Sequence, residues 1–570
     1  MDNNTQKSSL SGGLSFSLLI FLFTIFLLSF SGFIFHIGIN PFYSVLGFLA
    51  GIISLYFYFK PDKLLPADKK NFYTGVILYS FLILTSFYIA SFFFDPSWDG
   101  KTYHQAGVIL LSKGWNPIYD NINEFCMKLF NSTPMHLICV ENYPKFVEII
   151  QAGLYTVFKN MEAVKMTVWL SMAIVFSYSF YIFSKNYFNK INMFLKLAFS
   201  LVITLNPVVM AQFTNFYTDS YLYLFFAVML MSIIDIETGE RKRHVPFSVM
   251  IMSSVCLLNV KLGGILCVFL TYFIYLIYLC FKKDKRKIIN IITAIFITVL
   301  LGLISGINPY FTNINKNRHP FYPVMGINKM DFMPNNTPLA FKNHNRLRNL
   351  IISTFSKVKD HDKESKQAEI KFPFFILKGE LVNLSAADNR FCGFGIFWSG
   401  ILLLAFILIP FIRYGNKSEK ELNILILTIL TSLVLINPYS WWARYAPYFW
   451  LIPVVICIPV SMKQNKTKIE MFIIYLITVL SLISVFIQAN FVIDGSLYYK
   501  KNLGAFLNSI ENYKKDIKIY NIYDWSFIAK FEENNIPVKY VSFEDYAMNK
   551  DDFSKIPLSL DGIMEWDYKE

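Results

Sequence analysis

Four charged residues stand alone in stretches that are otherwise apolar and aromatic, and they are the residues best able to do chemistry. Two are carboxylates, Asp99 and Asp219, and two are cations, Lys261 and Arg444. An isolated carboxylate can accept the proton of a substrate hydroxyl, and isolated cations can hold a phosphate. Ionisable groups at membrane depth are usually functional, because the apolar surroundings make an unneeded charge costly. The set therefore predicts general-base chemistry beside a bound phosphate.

Asp99 begins a short segment with helical periodicity, Asp99-Gly-Lys-Thr-Tyr103, within FFFDPSWDGKTYHQAGVILLSKGWNPIYD. The apolar stripe that follows consists of Tyr103, Ala106, Gly107, Leu110 and Leu111. It predicts a helix of about four turns that ends at Gly114, because Pro117 forbids its continuation. Such a helix is too short to cross a membrane and is expected in the interface, facing lipid or the other helices. Asp99 would be either its N-cap or a base.

The other three residues lie in short turns between apolar runs. Asp219, in NPVVMAQFTNFYTDSYLYLF, is either a helix cap or a functional acid. Lys261, in LLNVKLGG, is expected at a hairpin turn, as a snorkelling lysine or as a phosphate ligand. Arg444, in NPYSWWARYAPYFW, has aromatic neighbours that an interfacial belt explains, but a belt does not require an arginine. Arginine is well suited to clamp a phosphate.

Three further segments carry polar groups that either serve the same site or are ordinary loop ends. They are ENYPKFVEIIQAG with Glu141 and Lys145, NPYFTNINKNRHPFYP with His319, and AADNRFCGFGIFW with Asp388 and Arg390. Cys126 and Cys139 share one predicted outer loop, where oxidising conditions would allow a disulfide. No Cys/His pair has the spacing of a metal site.

The composition indicates that a membrane protein positions these residues. Of 570 residues, 55% are hydrophobic and only 16% are charged, whereas a soluble protein carries about a quarter charged residues. Apolar stretches of about 20 residues recur, the length at which a helix crosses a bilayer. The net charge of +14 is spread over short loops. It therefore indicates membrane orientation and not nucleic-acid binding.

Thirteen apolar segments are predicted to span the membrane as helices, which makes the fold class an all-α polytopic membrane protein. Lys- and Arg-rich loops follow the second, sixth and eighth segments, and the positive-inside rule assigns their side to the cytoplasm. The N-terminus is therefore expected inside and the C-terminus outside. The segments are 14–36, 41–59, 73–94, 164–184, 193–213, 218–236, 246–260, 262–281, 288–306, 395–413, 421–436, 446–462 and 470–491.

Three long stretches would lie outside, and the last of them, the tail, reads as a small α/β domain. In the tail DIKIYNIY and VKYVSFE are typical of strands, and KNLGAFLNSIENY and DWSFIAKFEENN of amphipathic helices. The predicted units are a two-helix unit (1–72), a transmembrane module with the first outer loop 95–163 (73–306), an outer loop (307–394), C-terminal transmembrane helices (395–491) and the tail domain (492–570).

With these features the chain resembles the GT-C glycosyltransferases, polytopic enzymes that take a sugar from a polyprenyl phosphate on the outer membrane face. The segment from Asp99 to Tyr103 is similar to the aspartate-led first outer loop of the aminoarabinose and protein O-mannosyl transferases, and Asp219 resembles their next outer acid. WDGKTYH, NYPK, HPFYP and WWARY resemble motifs of uncharacterised bacterial members. Two departures stand out. The acidic loop follows the third span instead of the first, and Gly100 replaces a second acid, which leaves Asp95 as an alternative base.

The resemblance implies inverting transfer of a sugar to a glycolipid, polysaccharide or protein of the cell envelope. Asp99, or Asp95 in its place, would accept the proton of the acceptor, and Asp219 would be the second catalytic carboxylate. Lys261, Arg444 and Arg390 would bind the donor phosphate. The residues expected to position substrates are Trp98, Tyr103, His104, Lys145 and His319. No cofactor is expected; some relatives need a divalent metal, but few acids cluster in this sequence.

Two other functions suit a protein of this kind. A lipid-linked polysaccharide polymerase or ligase also uses outer-face arginines, with a diphosphate-linked donor and no need for the Asp99 helix. A flippase would place polar residues along a path at mid-membrane, whereas here they lie at the outer ends of the predicted spans. Residue usage and the resemblance favour a bacterial cytoplasmic membrane. The expected partners are the lipid-linked donor, the envelope acceptor and membrane lipids, and not nucleic acid.

Overall fold

Helices make up most of the computed structural model, which describes residues 3–59, 66–134, 136–239, 244–359, 364–511, 517–519 and 522–542. Within these ranges only two short strands form a sheet, β1 (Ile517–Ile519) and β2 (Val538–Tyr540). They pair in parallel, with Ile517 opposite Val538. The all-α part of the predicted fold class is therefore confirmed.

The helices of the first half of the chain form the larger part of one continuous apolar core. They are α1 (Asn3–Ile34), α2 (Pro41–Phe59), α3 (Pro66–Phe92), α4 (Gln105–Ser112), α5 (Ile122–Phe130), α6 (Leu137–Asn142), α7 (Phe146–Phe158), α8 (Met166–Phe183), α9 (Met193–Thr204), α10 (Pro207–Met210), α11 (Asp219–Thr238), α12 (His244–Val260), α13 (Gly263–Lys282) and α14 (Lys285–Ser305).

The second half adds three short helices within the long segment 307–394 and five helices after it. They are α15 (Thr312–Asn317), α16 (Phe332–Asn336), α17 (Arg346–Phe355), α18 (Trp398–Leu408), α19 (Lys417–Ile436), α20 (Leu451–Met462), α21 (Lys468–Glu511) and α22 (Trp525–Glu533). Single helical turns connect several of them. The turns that matter for the site are the π-helical turn Gly100–His104 and the 3₁₀ turn Ala443–Tyr445.

Eight helices in the described ranges are long and apolar enough to cross a membrane, and each coincides with a predicted span. They are Leu10–Ile34, Pro41–Phe59, Asp68–Phe92, Ala163–Phe183, Asp219–Thr238, Gly263–Lys282, Lys285–Ser305 and Lys468–Asn508. Four more predicted spans contain apolar helices of 10–17 residues, and α19 carries charged residues in its first turns. The apolar run 193–213 is interrupted because Asn206 caps a new helix that Pro207 begins.

The charged side chains gather at two ends of the helices. At one end Lys185 pairs with Asp235, and Glu237 pairs with Lys282 and Lys287. The other end holds the turns around residues 99, 219, 261 and 444, as the alternation of loops predicts. Parts of the predicted basic loops (60–65 and 240–243), of the predicted loop 307–394 (360–363) and of the tail (543–570) lie outside the described residues.

Helix α4 differs from the expected interfacial helix because it is buried along its length from Gln105 to Leu111. Helices α7 and α22 both pack against it, so it lies inside the protein. Its predicted end is confirmed: Gly114 has a φ of +101°, and the Trp115 N–H donates to the Leu110 carbonyl at 3.0 Å. This bond closes the helix with a glycine in the left-handed region.

The described part of the tail packs onto the segment 95–163 and does not stand apart from the helices. Helix α21 runs through residue 492, so the predicted boundary falls inside it, and KNLGAFLNSIENY continues α21 through Glu511 instead of forming a separate helix. The Phe130 ring meets the Trp525 ring edge-on at 5.5 Å between centroids. The Met161 N–H donates to Glu533 Oε1 at 2.5 Å. Residues 522–542 are thereby fixed above α4 and α5.

A buried lysine joins three elements near the end of the helices that holds residues 99, 219, 261 and 444. Lys165 Nζ donates to the carbonyls of Phe93 at 2.8 Å and Thr214 at 2.7 Å, and to Glu162 Oε2 at 2.5 Å. Both side chains of the pair are almost fully buried, with 1% and 5% exposure. These bonds fix the end of α3, the start of α8 and the segment before α11 relative to one another.

Lys165→Met is expected to lower the free energy of unfolding by about 3–5 kcal/mol, because it leaves the buried Glu162 carboxylate without its closest cation. The matched control is Lys316→Met, which removes an exposed pair with Glu141 and should cost less than about 1 kcal/mol. Denaturation of both variants in the same detergent measures the difference. Equal losses would contradict the role given to Lys165.

Candidate functional site

Arg444 lies at the centre of a group of buried charges. Its Nη1 is 3.0 Å from Asp99 Oδ2 and 4.0 Å from Asp219 Oδ2. Its Nε is 3.3 Å from Asp388 Oδ1, and its Nη2 donates to the Tyr445 hydroxyl at 3.1 Å. Three carboxylates from distant parts of the chain therefore surround one guanidinium.

Two more cations flank these carboxylates. Lys261 pairs with Asp219, and its Nζ lies 4.5 Å from the centroid of the Tyr445 ring. Arg390 Nη2 lies 3.7 Å from Asp388 Oδ2. The six residues Asp99, Asp219, Asp388, Lys261, Arg390 and Arg444 are termed the charge cluster. Its three negative and three positive side chains balance, and Lys261, at 26% exposure, is the most open of them.

Aromatic rings enclose the cluster. The Arg444 guanidinium carbon lies 4.9 Å from the Trp442 ring centroid, 5.0 Å from that of Tyr445 and 5.2 Å from that of Tyr217. Trp442 also donates from its indole Nε1 to Asp388 Oδ1 at 2.6 Å. These faces attract the cation and keep water away, which strengthens every ionic contact inside.

Neither of the two predicted acids makes a capping hydrogen bond at a helix N-terminus through its side chain. Asp99 precedes the π-helical turn Gly100–His104, and its side chain makes no capping hydrogen bond. Asp219 is the first residue of α11, where the capping position belongs to Thr218. Asp99 thus stands at an N-cap position without capping through its side chain, and the N-cap interpretation is wrong for Asp219. Lys261 occupies the turn between α12 and α13, as predicted.

The two most open carboxylates of the cluster are shifted in opposite directions. Burial raises the pKa of Asp99, but Arg444, His104 and Lys261 lower it by more, so that the pKa lies below its usual range. Burial raises the pKa of Asp388 above its usual range, against the lowering effect of Arg444 and Arg390. Asp99 is therefore ionised at neutral pH and can accept a proton. Opposed shifts of neighbouring carboxyl groups are typical of sites that move protons.

Asp95, the alternative base, lies outside the charge cluster. It is fully buried, its Oδ1 accepts the Ser97 N–H at 2.7 Å and its Oδ2 accepts the Phe216 N–H at 2.9 Å. Burial raises its pKa to about 6. Asp95 ties the segment after α3 to the turn before α11, which makes it a positioning group and favours Asp99 as the base.

Tyr103 and His104 stand next to Asp99. The Tyr103 hydroxyl lowers the pKa of Asp99, and the Tyr103 ring centroid lies 4.4 Å from that of His104. His104 Nδ1 is 2.5 Å from Glu148 Oε1 of α7, and both side chains are buried. Sequence analysis missed Glu148. The signal was present, because an acid within the apolar helix FVEIIQAGLY requires a partner.

Two predicted positioning residues, Lys145 and His319, make contacts elsewhere instead of entering the charge cluster. Lys145 Nζ donates to the Glu141 and Tyr143 carbonyls and to Asn308 Oδ1, at 2.7–2.8 Å. His319 accepts the N–H of Phe321 at 3.1 Å and packs against the same residue. Among the described residues, these contacts do not reach the charge cluster, so neither prediction of substrate positioning has support from the geometry.

The remaining expectations concern cysteine and metal. Cys126 in α5 and Cys139 in α6 are both free thiols, so the structure does not contain the disulfide that the sequence allowed. Cys126 is buried in the apolar core, and burial raises the pKa of the Cys139 thiol to about 12. In the described ranges no group of three or more His, Cys, Asp or Glu side chains could hold a metal ion.

Comparison with known proteins adds no relative. No protein-family model matches the chain, and no curated protein sequence matches it.

Asp95→Asn is expected to destabilise the protein more than Asp99→Asn does. An asparagine at 95 must turn its NH₂ group toward one of two backbone N–H donors, which costs about 1–3 kcal/mol. An asparagine at 99 leaves Arg444 with Asp388 and Asp219. Thermal unfolding of both variants in detergent makes the comparison. A larger loss for Asp99→Asn would show that Asp99 is mainly a structural ion-pair partner.

Proposed function

We propose that the protein is a GT-C-type glycosyltransferase that transfers a sugar from a polyprenyl phosphate to a hydroxyl of a cell-envelope acceptor. The observation that carries the proposal is the charge cluster. Asp99, Asp219, Lys261 and Arg444 come from four separate turns and meet at one end of the apolar helices. A base beside cations at the end of lipid-sized helices suits a donor with a membrane-bound tail and a phosphate head.

The proposal includes the placement of the chain in a membrane. Thirteen spans, with the N-terminus in the cytoplasm and the tail outside, would put the charge cluster at the outer face of a bacterial cytoplasmic membrane. The eight long apolar helices support the membrane part of this arrangement. The other five predicted segments would complete the thirteen spans, with neighbouring helices covering their ends.

In the proposed reaction Asp99 is the general base. The acceptor oxygen attacks the anomeric carbon while its proton passes to an Asp99 carboxylate oxygen. The bond between the anomeric carbon and the phosphate oxygen breaks, and its electron pair leaves with the phosphate. Attack from the face opposite the leaving group inverts the anomeric centre. Asp99 suits this role because it is ionised, 13% exposed and held in place by Arg444.

Lys261 is the cation best placed to receive the donor phosphate. Its side chain is 26% exposed, whereas Arg444 is 11% and Arg390 7% exposed. The guanidinium of Arg444 already faces three carboxylates, so its first task is to position Asp99 and Asp219. Asp219, only 3% exposed and paired with Lys261, orients that lysine and does not act as a base.

Asp99→Asn is expected to lower kcat by about 10²–10⁴-fold, the usual contribution of a general base. The assay uses the full chain in detergent with a panel of radiolabelled undecaprenyl-phosphate sugars and cell-envelope glycolipids as acceptors. The control is Asp331→Asn, which changes an acid that is 58% exposed and paired only weakly with Lys329 at 3.6 Å.

Two results of that assay would contradict the proposal. Equal transfer by wild type and Asp99→Asn would remove Asp99 as the base. If no monophosphate donor supports transfer but a diphosphate-linked glycan is turned over, the protein is a polysaccharide polymerase or ligase and not the proposed transferase.

Lys261→Met is expected to shift the acid limb of the kcat profile to higher pH. Lys261 is one of the charges that lower the pKa of Asp99, so its removal raises that pKa. Because the base acts in its ionised form, the variant loses activity at a higher pH than wild type. Each profile is normalised to its own maximum, and Lys316→Met serves as the control. A limb that stays in place or moves to lower pH would contradict the assignment.

A further inference from the structure

Three aromatic side chains from three segments meet beside Asp99. Trp98 directly precedes Asp99, His136 directly precedes α6, and Tyr523 lies between β1 and α22. The Trp98 indole Nε1 donates to the Tyr523 hydroxyl at 2.9 Å. The centroid of the His136 ring lies 5.0 Å from that of Trp98 and 5.6 Å from that of Tyr523. These three residues are termed the aromatic rim.

The rim leaves ring surface open. Trp98 is 46% exposed, although its neighbours fix its position. His136 meets it at an interplanar angle of 73° and Tyr103 at 70°, so neither ring stacks flat on the indole. A tryptophan that only anchors a protein in the lipid interface would turn its indole N–H to the headgroups or to water. In this protein the indole N–H of Trp98 instead donates to Tyr523 of the tail.

The rim is held rigidly from both sides. Residues of the tail are fixed to the first outer loop by the Phe130–Trp525 contact and by an ion pair of 2.7 Å between Lys113 and Glu532. His136 has a φ of +65°, a conformation that is unfavourable for a residue with a side chain. Such backbone is kept where the surroundings hold it in place, and it is often found at functional sites.

The chemistry of the rim matches a sugar ring. A pyranose has an apolar face of C–H groups and an edge of hydroxyls, and a rigid aromatic ring with a polar neighbour recognises both. The Tyr523 hydroxyl accepts a hydrogen bond from the Trp98 indole N–H and can donate one to a sugar hydroxyl. Burial lowers the pKa of His136 below its usual range, so its imidazole is neutral at pH 7 and offers one donor and one acceptor.

We infer that the aromatic rim binds a saccharide unit of the acceptor, so that the protein glycosylates a glycan or glycolipid hydroxyl and not a protein side chain. This inference rests on the proposed function and names the substrate class of the same site. A sugar stacked on Trp98 lies beside Asp99, the next residue of the chain. The tail therefore contributes a wall of the acceptor site through Tyr523.

The test measures glycan binding directly, without a donor. Full-length protein in nanodiscs is applied to an array of bacterial and synthetic oligosaccharides. Trp98→Ala is expected to weaken binding of the recognised glycan at least about tenfold, as for an aromatic residue at the centre of an interface. Tyr523→Phe, which removes a single hydroxyl and should fold normally, is expected to weaken it about threefold.

The control is Tyr119→Ala. Tyr119 is 53% exposed on the same outer loop and stacks on His36 at 4.2 Å, away from the rim. The Tyr119→Ala variant should bind the recognised glycan as tightly as wild type does. If wild type binds no glycan, or if Trp98→Ala and Tyr523→Phe both bind as well as Tyr119→Ala, the inference is wrong.

The results distinguish failure of the inference about the aromatic rim from failure of the proposed transferase function. Glycan binding that depends on Trp98, with no transfer from any polyprenyl-phosphate sugar, would keep the rim and reject the proposed function. Transfer to a peptide acceptor without glycan binding would keep the function and reject the rim.

Discussion

The need to neutralise one buried guanidinium organises the end of this protein that holds the charge cluster. Removing an arginine from water costs several kcal/mol unless carboxylates and hydrogen-bond acceptors surround it. Arg444 obtains these partners from the segment after α3, from the start of α11 and from the segment before α18. Each of these segments must therefore reach the same point. The turn Ala443–Tyr445 is itself fixed, because Asn437 Nδ2 donates to the Tyr445 carbonyl at 2.8 Å.

The members of the charge cluster could be predicted because a charge in apolar surroundings is conspicuous and needs a partner. Asp99, Asp219, Lys261 and Arg444 were each recognisable alone, and each found its partner among the others. The third carboxylate, Asp388, was less visible since its neighbours Asn389 and Arg390 made the segment read as an ordinary loop end. Glu148 was less visible because Glu141 and Lys145, in the same segment, are the more conspicuous charged groups.

Residue type and spacing alone do not decide which of Asp95 and Asp99 belongs to the charge cluster. The two are four positions apart in one aromatic segment, yet one accepts two backbone N–H groups while the other faces a guanidinium. The difference depends on the direction in which the chain turns after α3.

The lengths of the predicted spans depend on tertiary structure in the same way. Apolar composition continues across Asn206 and Pro207, where the helix ends, and α21 extends past the end of its apolar part through Glu511.

The balance of the charge cluster also constrains the proposed reaction. Three carboxylates and three cations leave no surplus positive charge for a phosphate, so a donor must replace a carboxylate as the partner of a cation. Lys261 is the cation that can do this, because its flexible stem is partly exposed and its partner Asp219 keeps a second cation, Arg444, at 4.0 Å. A lysine that turns from Asp219 to the phosphate would draw Arg444 toward Asp219 and away from Asp99. Donor binding would thereby make Asp99 a stronger base at the moment when the acceptor hydroxyl must lose its proton.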